Sequence, residues 1–336
     1  MGCKVALGEI CSFSRGASIP RARMLDRGDY LYIHYGDLYK GFDVRIDVED
    51  PQKPIPYIAD SESIRKGQWL RDQDIVYVLT SETVEDLGHA FLFSNPKELP
   101  AVAGTETTVV RVNRPDLLLP SYLNWLFQSA RFKQLLRQYV KGMKVFRVHP
   151  DDLARIQIEM PPIDDQRRIV SILNAIFERS LINNQINGYL EELCDALFLD
   201  YLERADSSWH EGTLEELAEV KYGKDHKKLA DGPYPVYGSG GFMRSAEKSL
   251  FSGESVLIPR KGSLNNVMYV NGAFWTVDTM FFTVPRIAGA AKFLYQYVKR
   301  LDLASMNSGS AVPSMTMAGE IDVSKIDLTQ LNSHLA

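Results

Sequence analysis

The chain has 336 residues, 45% of them hydrophobic, with a net charge of −5 and an isoelectric point of about 5.8. That describes a globular protein with room for two cores. It lacks the whole-chain basic footprint of a free-standing nucleic-acid binder, so any such surface must be local or supplemented by partner subunits. The three scattered cysteines, Cys3, Cys11 and Cys194, form no disulfide framework or metal pair, and no apolar run is long enough for a signal peptide or membrane span; a reducing cytoplasm is expected.

In chain order, the first residues read as a short helix, Lys4 to Ile10, followed by a turn, Ser12 to Gly16, with Arg15 beside the glycine. The opening Met1-Gly2-Cys3 is no acylation signal, because Ala6 stands where Ser or Thr is required. Strand-type runs follow at Asp74 to Val78 and Thr105 to Val112, then an aromatic helix, Tyr122 to Phe127, and a basic glycine loop, Lys141-Gly142-Met143-Lys144-Val145-Phe146-Arg147.

Pro161-Pro162-Ile163-Asp164-Asp165-Gln166 then opens a stretch that runs to Tyr201 without an interior proline. Proline is tolerated in a first helical turn, where N–H groups lack partners, and Asp164 and Asp165 sit where the helix dipole favours negative charge. Ile169, Leu173 and Ile176, then Ile182, Ile186, Leu190, Leu193 and Leu197, recur at three- and four-residue steps, with a polar break around Arg179, Asn183 and Asn187. The spacing predicts one helix of about forty residues, roughly 60 Å long at 1.5 Å per residue, carrying an apolar seam made for another helix.

Beyond that helix the early pattern returns. Gly212 to Val220 and then Lys221 to Lys224 parallel the opening helix and turn, and Gly232 to Tyr237 parallels Gly28 to Tyr32. Glu254 to Ile258 matches Asp74 to Val78, Val277 to Val284 matches Thr105 to Val112, and Phe293 to Val298 matches the aromatic helix. A glycine turn at Gly309 and the run Ile326 to Leu328 echo Gly142 and Ile156 to Ile158. The spacing between equivalents shrinks along the chain, which places an insertion in the first copy within residues 36–70, where Pro51, Pro54 and Pro56 cluster. The chain reads as a first module at 1–160, a spacer helix at 161–204, a second module at 205–320 and a tail at 321–336. No regular strand–helix alternation demands a parallel sheet, so the fold class is α+β: two similar mixed α/β domains separated by a long α-helix.

Catalytic signatures are missing: there is no phosphate loop, no His-Glu-x-x-His and no nucleophile elbow, and the six histidines are dispersed. Asp231-Gly232-Pro233-Tyr234 departs at Gly232 from the motif with which amino-methyltransferases hold a flipped base, and reads as a turn. Gly238-Ser239-Gly240-Gly241 lacks the strand-to-helix setting of a phosphate cradle and reads as a flexible turn beside a binding face. What remains is polar loops that set cations next to glycine. Arg260-Lys261-Gly262-Ser263-Leu264-Asn265-Asn266 follows a buried-looking strand, whereas its first-copy equivalent, Leu79-Thr80-Ser81-Glu82, has no cation. The basic loop Lys141 to Arg147 has a neutral counterpart at Asn307 to Ser314. Cations suit phosphates, and hydroxyls and amides suit base edges. The candidate phosphate and base-edge contacts are Arg15, Lys141, Lys144 and Arg147 in the first module and Tyr237, Ser239, Arg260, Lys261, Ser263, Asn265 and Ser310 in the second, with no catalytic or metal-binding residue.

With its Pro161 to Gln166 helix start, the paired Leu7-Gly8-Glu9-Ile10 and Leu214-Glu215-Glu216-Leu217 openings, Ile258 to Ser263, and Gly309 to Met315, the sequence resembles the specificity subunit of type I restriction-modification systems over nearly its whole length. The resemblance implies two target-recognition domains that each read half of a split site in double-stranded DNA, held apart by helices acting as a ruler. It implies no catalysis by this chain: modification subunits bring S-adenosylmethionine and methylate adenine, and a restriction subunit brings ATP- and Mg-dependent translocation and cleavage. Family members usually close with a second long helix antiparallel to the first, whereas this sequence stops soon after Ile326-Asp327-Leu328. The seam is therefore expected to pair with another chain, by self-association or with a complementing partner. The alternatives are a self-contained methyltransferase and a coiled-coil scaffold that does not bind DNA.

Overall fold

The computed structural model describes residues 3–38, 41–84, 87–204, 214–301 and 303. The chain forms two compact units, Met1–Asn184 and Gln185–Ala336, and the division falls within one helix, Ile163–Glu203.

The main sheet of the first unit has five strands in the order Cys11–Arg15, Thr107–Val112, Ile75–Val78, His89–Ser94 and Arg45–Asp47, antiparallel except for the last pair. Ile75–Val78 is buried along its length, as its β-branched and aromatic run demands. Successive side chains point to opposite faces of a strand. Ile75 and Tyr77 accordingly join a cluster with Leu123, Phe127 and Phe132, while Val76 and Val78 join Ile46, Phe91 and Phe93. Tyr77 stacks on Phe127 of the helix Pro120–Gln128, with centroids 4.6 Å apart. A second sheet orders Tyr57–Ile58, Tyr30–Ile33 and Ala101–Ala103. Cys3–Ala6 runs antiparallel to Gln157–Met160 and so ties the start of the unit to the segment that leads into the long helix.

The second unit has one six-stranded sheet, in the order Ala218–Tyr222, Met280–Pro285, Phe251–Pro259, Met268–Thr276, Tyr234–Gly238 and Gly241–Ala246. Its central strand uses the same alternation. Val256 and Ile258 face Phe293 and Leu294 of the helix Ala290–Val298, and Leu257 faces Phe274 and Phe282.

The ladders confirm the repeat and give it a register. Thr107 pairs with Val78 where Met280 pairs with Pro259, and Arg15 pairs with Thr108 where Tyr222 pairs with Phe281. The Gly16 N–H donates to Thr107 O at 2.9 Å, and the Gly223 N–H donates to Met280 O at 3.0 Å. At both glycines a Cβ would sit 2.0 Å from a backbone carbonyl oxygen, of Gly104 and of Val277 respectively, which explains why each copy keeps glycine there. The predicted opening turns are corrected. Cys11–Arg15 and Ala218–Tyr222 are edge strands, and the preceding helices shrink to Leu7–Ile10 and Leu214–Leu217, because ladder bonds to a distant strand outweigh local helix preference. In the second unit Ser239 and Gly240 form a two-residue connection between strands; in the first, the helix Tyr35–Leu38 and the strand Arg45–Asp47 lie between Ile33 and Tyr57.

The long helix opens after Pro162, with Asp164 and Asp165 paired to Arg167 and Arg168 one turn on. Gln166 is fully buried. Its Oε1 accepts from Leu119 N–H at 2.9 Å, and its Nε2 donates to the carbonyls of Leu117 at 2.8 Å and Pro161 at 2.9 Å. Further along, Asn174 accepts from the Trp125 indole at 2.8 Å, and Phe177 meets the same ring edge-on. In the second unit Phe198 packs edge-on against Phe293, and Arg300 donates to the Asp195 carboxylate at 2.9 Å with its guanidinium 4.7 Å from the Phe198 ring centre. The helix thus meets each unit through a stripe mixing polar and aromatic residues. The predicted apolar seam is a different stripe: Ile169, Ile176, Ile182, Ile186, Leu190, Leu193 and Leu197 are exposed, from 37% at Ile169 to 64% at Ile176, and Leu173 is half-buried.

Candidate nucleic-acid interface

In each unit the central strand ends at the same place, and polar loops collect there. In the first unit Ile75–Val78 runs out into Leu79, Thr80 and Ser81, which carry no charge. The charge comes from elsewhere. Phe146–Arg147 pairs antiparallel with Thr80–Ser81, and the Val148 N–H donates to Leu79 O at 2.9 Å, so the basic loop is stitched to the strand end. The loop is closed on itself: the Lys141 N–H donates to Arg147 O at 2.9 Å and the Arg147 N–H returns a bond to Lys141 O at 2.8 Å.

The result is a groove of about 660 Å³ that brings together Arg15, Lys141 and Arg147, three of the residues singled out in the sequence, and adds Arg155. Carboxylates are interleaved with these cations. Lys141 Nζ lies 2.8 Å from Asp152, Arg155 lies 3.5 Å from the same carboxylate, and Arg147 lies 3.5 Å from Glu106. The hydrogen bond from Lys141 holds the Asp152 carboxyl below the usual carboxylate range, against the opposing effect of desolvation. Lys144, at the tip of the loop, is exposed and has no partner among the described residues.

In the second unit the strand supplies its own cations, since Phe251–Pro259 runs directly into Arg260 and Lys261, whose N–H groups both donate to Thr279 O. Arg260 is half-buried. Its guanidinium lies over the Tyr222 ring at 5.5 Å and donates to Asp278 O at 3.1 Å, because the flat cation finds an aromatic face and a carbonyl within reach. Lys261, Ser263 and Asn265 are exposed. Asn266 donates its amide to Ser239 O at 2.8 Å, so the hairpin turn and the 260–266 loop touch. The Tyr237 ring is half-buried and lies edge-on to Phe242 and Phe274, and its carbonyl accepts from Val277 N–H at 3.0 Å. Phe242 and Met243, on the return strand, are exposed. Ser310 and its neutral loop lie outside the described residues.

A family model for the type I restriction modification DNA specificity domain matches residues 3–192 and again residues 206–328. The chain belongs to that family. Each match covers one of the two repeats, so the specificity domain occurs twice, and recognition is favoured over a self-contained methyltransferase or a scaffold. Among solved structures, the type I restriction-modification S subunit from M. genitalium is 19% identical, with a TM-score of 0.60 over 98% of this chain and 86% of that one. At that identity the likeness concerns the fold. The HsdS subunit from Thermoanaerobacter tengcongensis is 17% identical, with a TM-score of 0.38 over 88% of this chain and 78% of that one. No curated protein matches the chain. Among the described residues, no helix is long and apolar enough to cross a membrane.

Two residues of these specificity domains escaped the sequence reading. Arg155 follows a short helix, Pro150–Ala154, with no glycine beside it, and reaches the groove only because the preceding segment is stitched to Leu79. Tyr222 carried a usable signal: aligning Gly16 with Gly223 sets it at the position of Arg15, so a cation of the first copy is matched by an aromatic ring in the second.

Proposed function

We propose that this chain reads a split site in double-stranded DNA, one half through each specificity domain, and directs adenine methylation or cleavage by modification and restriction subunits. The observation that carries the reading is the shared strand end. The same three-strand frame presents cations there in both units, delivered by the Lys141–Arg147 loop in one and by Lys261 in the other. Equivalent positions with different side chains suit related domains that read different half-sites. S-adenosylmethionine, ATP and Mg belong to the partner subunits in this reading, which is set in the cytoplasm.

The exposed seam of the long helix completes the proposal, because contiguous apolar residues on a helix favour a helical partner. A second copy, or a helix of a modification subunit, covers it. Binding to randomised duplexes with and without a modification subunit, together with methylation mapping, tests the reading. It predicts one bipartite motif, methylated only when the modification subunit is present. Cofactor binding by the isolated chain, or no selected motif under either condition, would overturn it.

A further inference from the structure

Met143 is 94% exposed, the highest value among the large exposed hydrophobic side chains described. It sits at the tip of the Lys141–Arg147 loop, and the loop is held in shape. Lys141 and Arg147 exchange both backbone hydrogen bonds, and Gly142 takes a φ of +120°. A Cβ on Gly142 would meet Val145 O at 2.0 Å, so the turn closes too tightly for any other residue. One end of the loop pairs with Thr80–Ser81. An apolar side chain is therefore displayed on a closed loop, with exposed Val145 beside it and Lys141, Lys144 and Arg147 around it.

This setting selects the occupant. A protein partner favours a contiguous apolar patch depleted of lysine at its centre, which one methionine and one valine ringed by three cations do not offer. In the major groove of DNA the thymine methyl is the apolar feature among donors and acceptors, and the phosphates that line both rims match the cations around the loop. Methionine is unbranched and adapts its shape to such a contact.

We propose that Met143 is a specificity-determining side chain: it enters the major groove and packs on a thymine methyl in the half-site read by the first unit, while Lys144 holds a phosphate. The inference rests on the DNA-reading function proposed above and names a residue and a base feature for it. The geometry supplies the rest, with the carboxylates of Glu106 and Asp152 set back in the groove against Arg147 and Lys141, and the tip left to Met143 and Lys144.

The full chain, alone and with a modification subunit, is used to select sites from a randomised duplex library, and affinities for the selected site are then measured by fluorescence anisotropy over a range of salt. The first half-site is expected to contain a preferred thymine. Met143→Gln should relax that position, weaken binding roughly 5- to 30-fold, and leave the second half-site and the salt slope unchanged. Replacing that thymine by deoxyuridine deletes only the methyl; it should weaken the wild type and leave Met143→Gln indifferent. Lys144→Gln should lower the salt slope by about one without changing the selected sequence. If Met143→Gln selects the same half-site with wild-type affinity, or if no thymine-to-deoxyuridine change distinguishes it from the wild type, the assignment of Met143 is wrong while the DNA-reading function stands. If the wild type selects no sequence either alone or with a modification subunit, the function itself fails and takes the assignment with it.

Discussion

Replacing Gln166 tests how the long helix is joined to the first unit. The side chain is fully buried, and its amide makes three bonds, accepting from Leu119 N–H and donating to the carbonyls of Leu117 and Pro161. Gln166→Ala deletes all three and leaves one N–H and two carbonyls without partners. A buried orphan costs about 1–3 kcal/mol, and water entering the vacated space relieves part of the total, so the expected loss is about 3–5 kcal/mol. Gln166→Glu is the sharper test. It keeps the shape and the acceptor for Leu119 but sets a carboxylate oxygen against two carbonyls, so at neutral pH it should destabilise at least as much as alanine. Burial and those carbonyls raise the folded-state pKa of the introduced carboxyl. The protonated form is therefore favoured in the folded protein, and the glutamate variant should recover stability relative to alanine as pH falls from 7 towards about 5. Urea unfolding followed by tryptophan fluorescence reads this, because the Trp125 indole donates to Asn174 on the same helix. An alanine variant within about 1 kcal/mol of wild type, or a glutamate deficit that stays constant with pH, refutes the argument.

Other outcomes follow from the same geometry. Asp152→Asn removes the carboxylate that holds Lys141 at 2.8 Å and Arg155 at 3.5 Å, so binding to random duplex should tighten and the salt slope should steepen by about one; an unchanged slope counts against the competition between Asp152 and phosphate. Arg111 grips Asp74, which is 2% exposed, with bonds of 2.8 and 2.5 Å. Arg111→Met strands a buried carboxylate and should cost the first unit about 3–5 kcal/mol in urea unfolding, leaving the second unit's transition in place. Desolvation and a hydrogen bond to Glu254 push the Tyr269 phenol up to about 12, above its ordinary value of 10. Its contribution to stability is therefore complete below about pH 10 and is lost as pH rises through about 12, and Tyr269→Phe should flatten alkaline unfolding in that window.

Much of this architecture is legible in the residue order. The duplicated openings, the proline-flagged helix start and the glycine-flanked cations are properties of neighbours in sequence. They led to two α+β modules on one helix, to the Lys141–Arg147 loop and to the strand end at Arg260 and Lys261. The apolar period of the long helix was equally readable, and it lies on the surface because the units dock on other stripes.

What the chain order could not settle was pairing. Ser12 to Arg15 looks like a turn until Thr108 to Arg111 lies alongside it, and the face by which the helix docks is set by Gln166, Asn174 and Phe177, which no hydrophobic period marks. That Tyr222 lies under Arg260 could not be read from neighbours in sequence, and Arg155 joined the groove only once Val148 was bonded to Leu79. Periodicity and turn chemistry act over a few residues and are written locally, whereas the partner of a hydrogen bond or a cation is chosen by closures spanning tens of residues, which only the folded chain brings within reach.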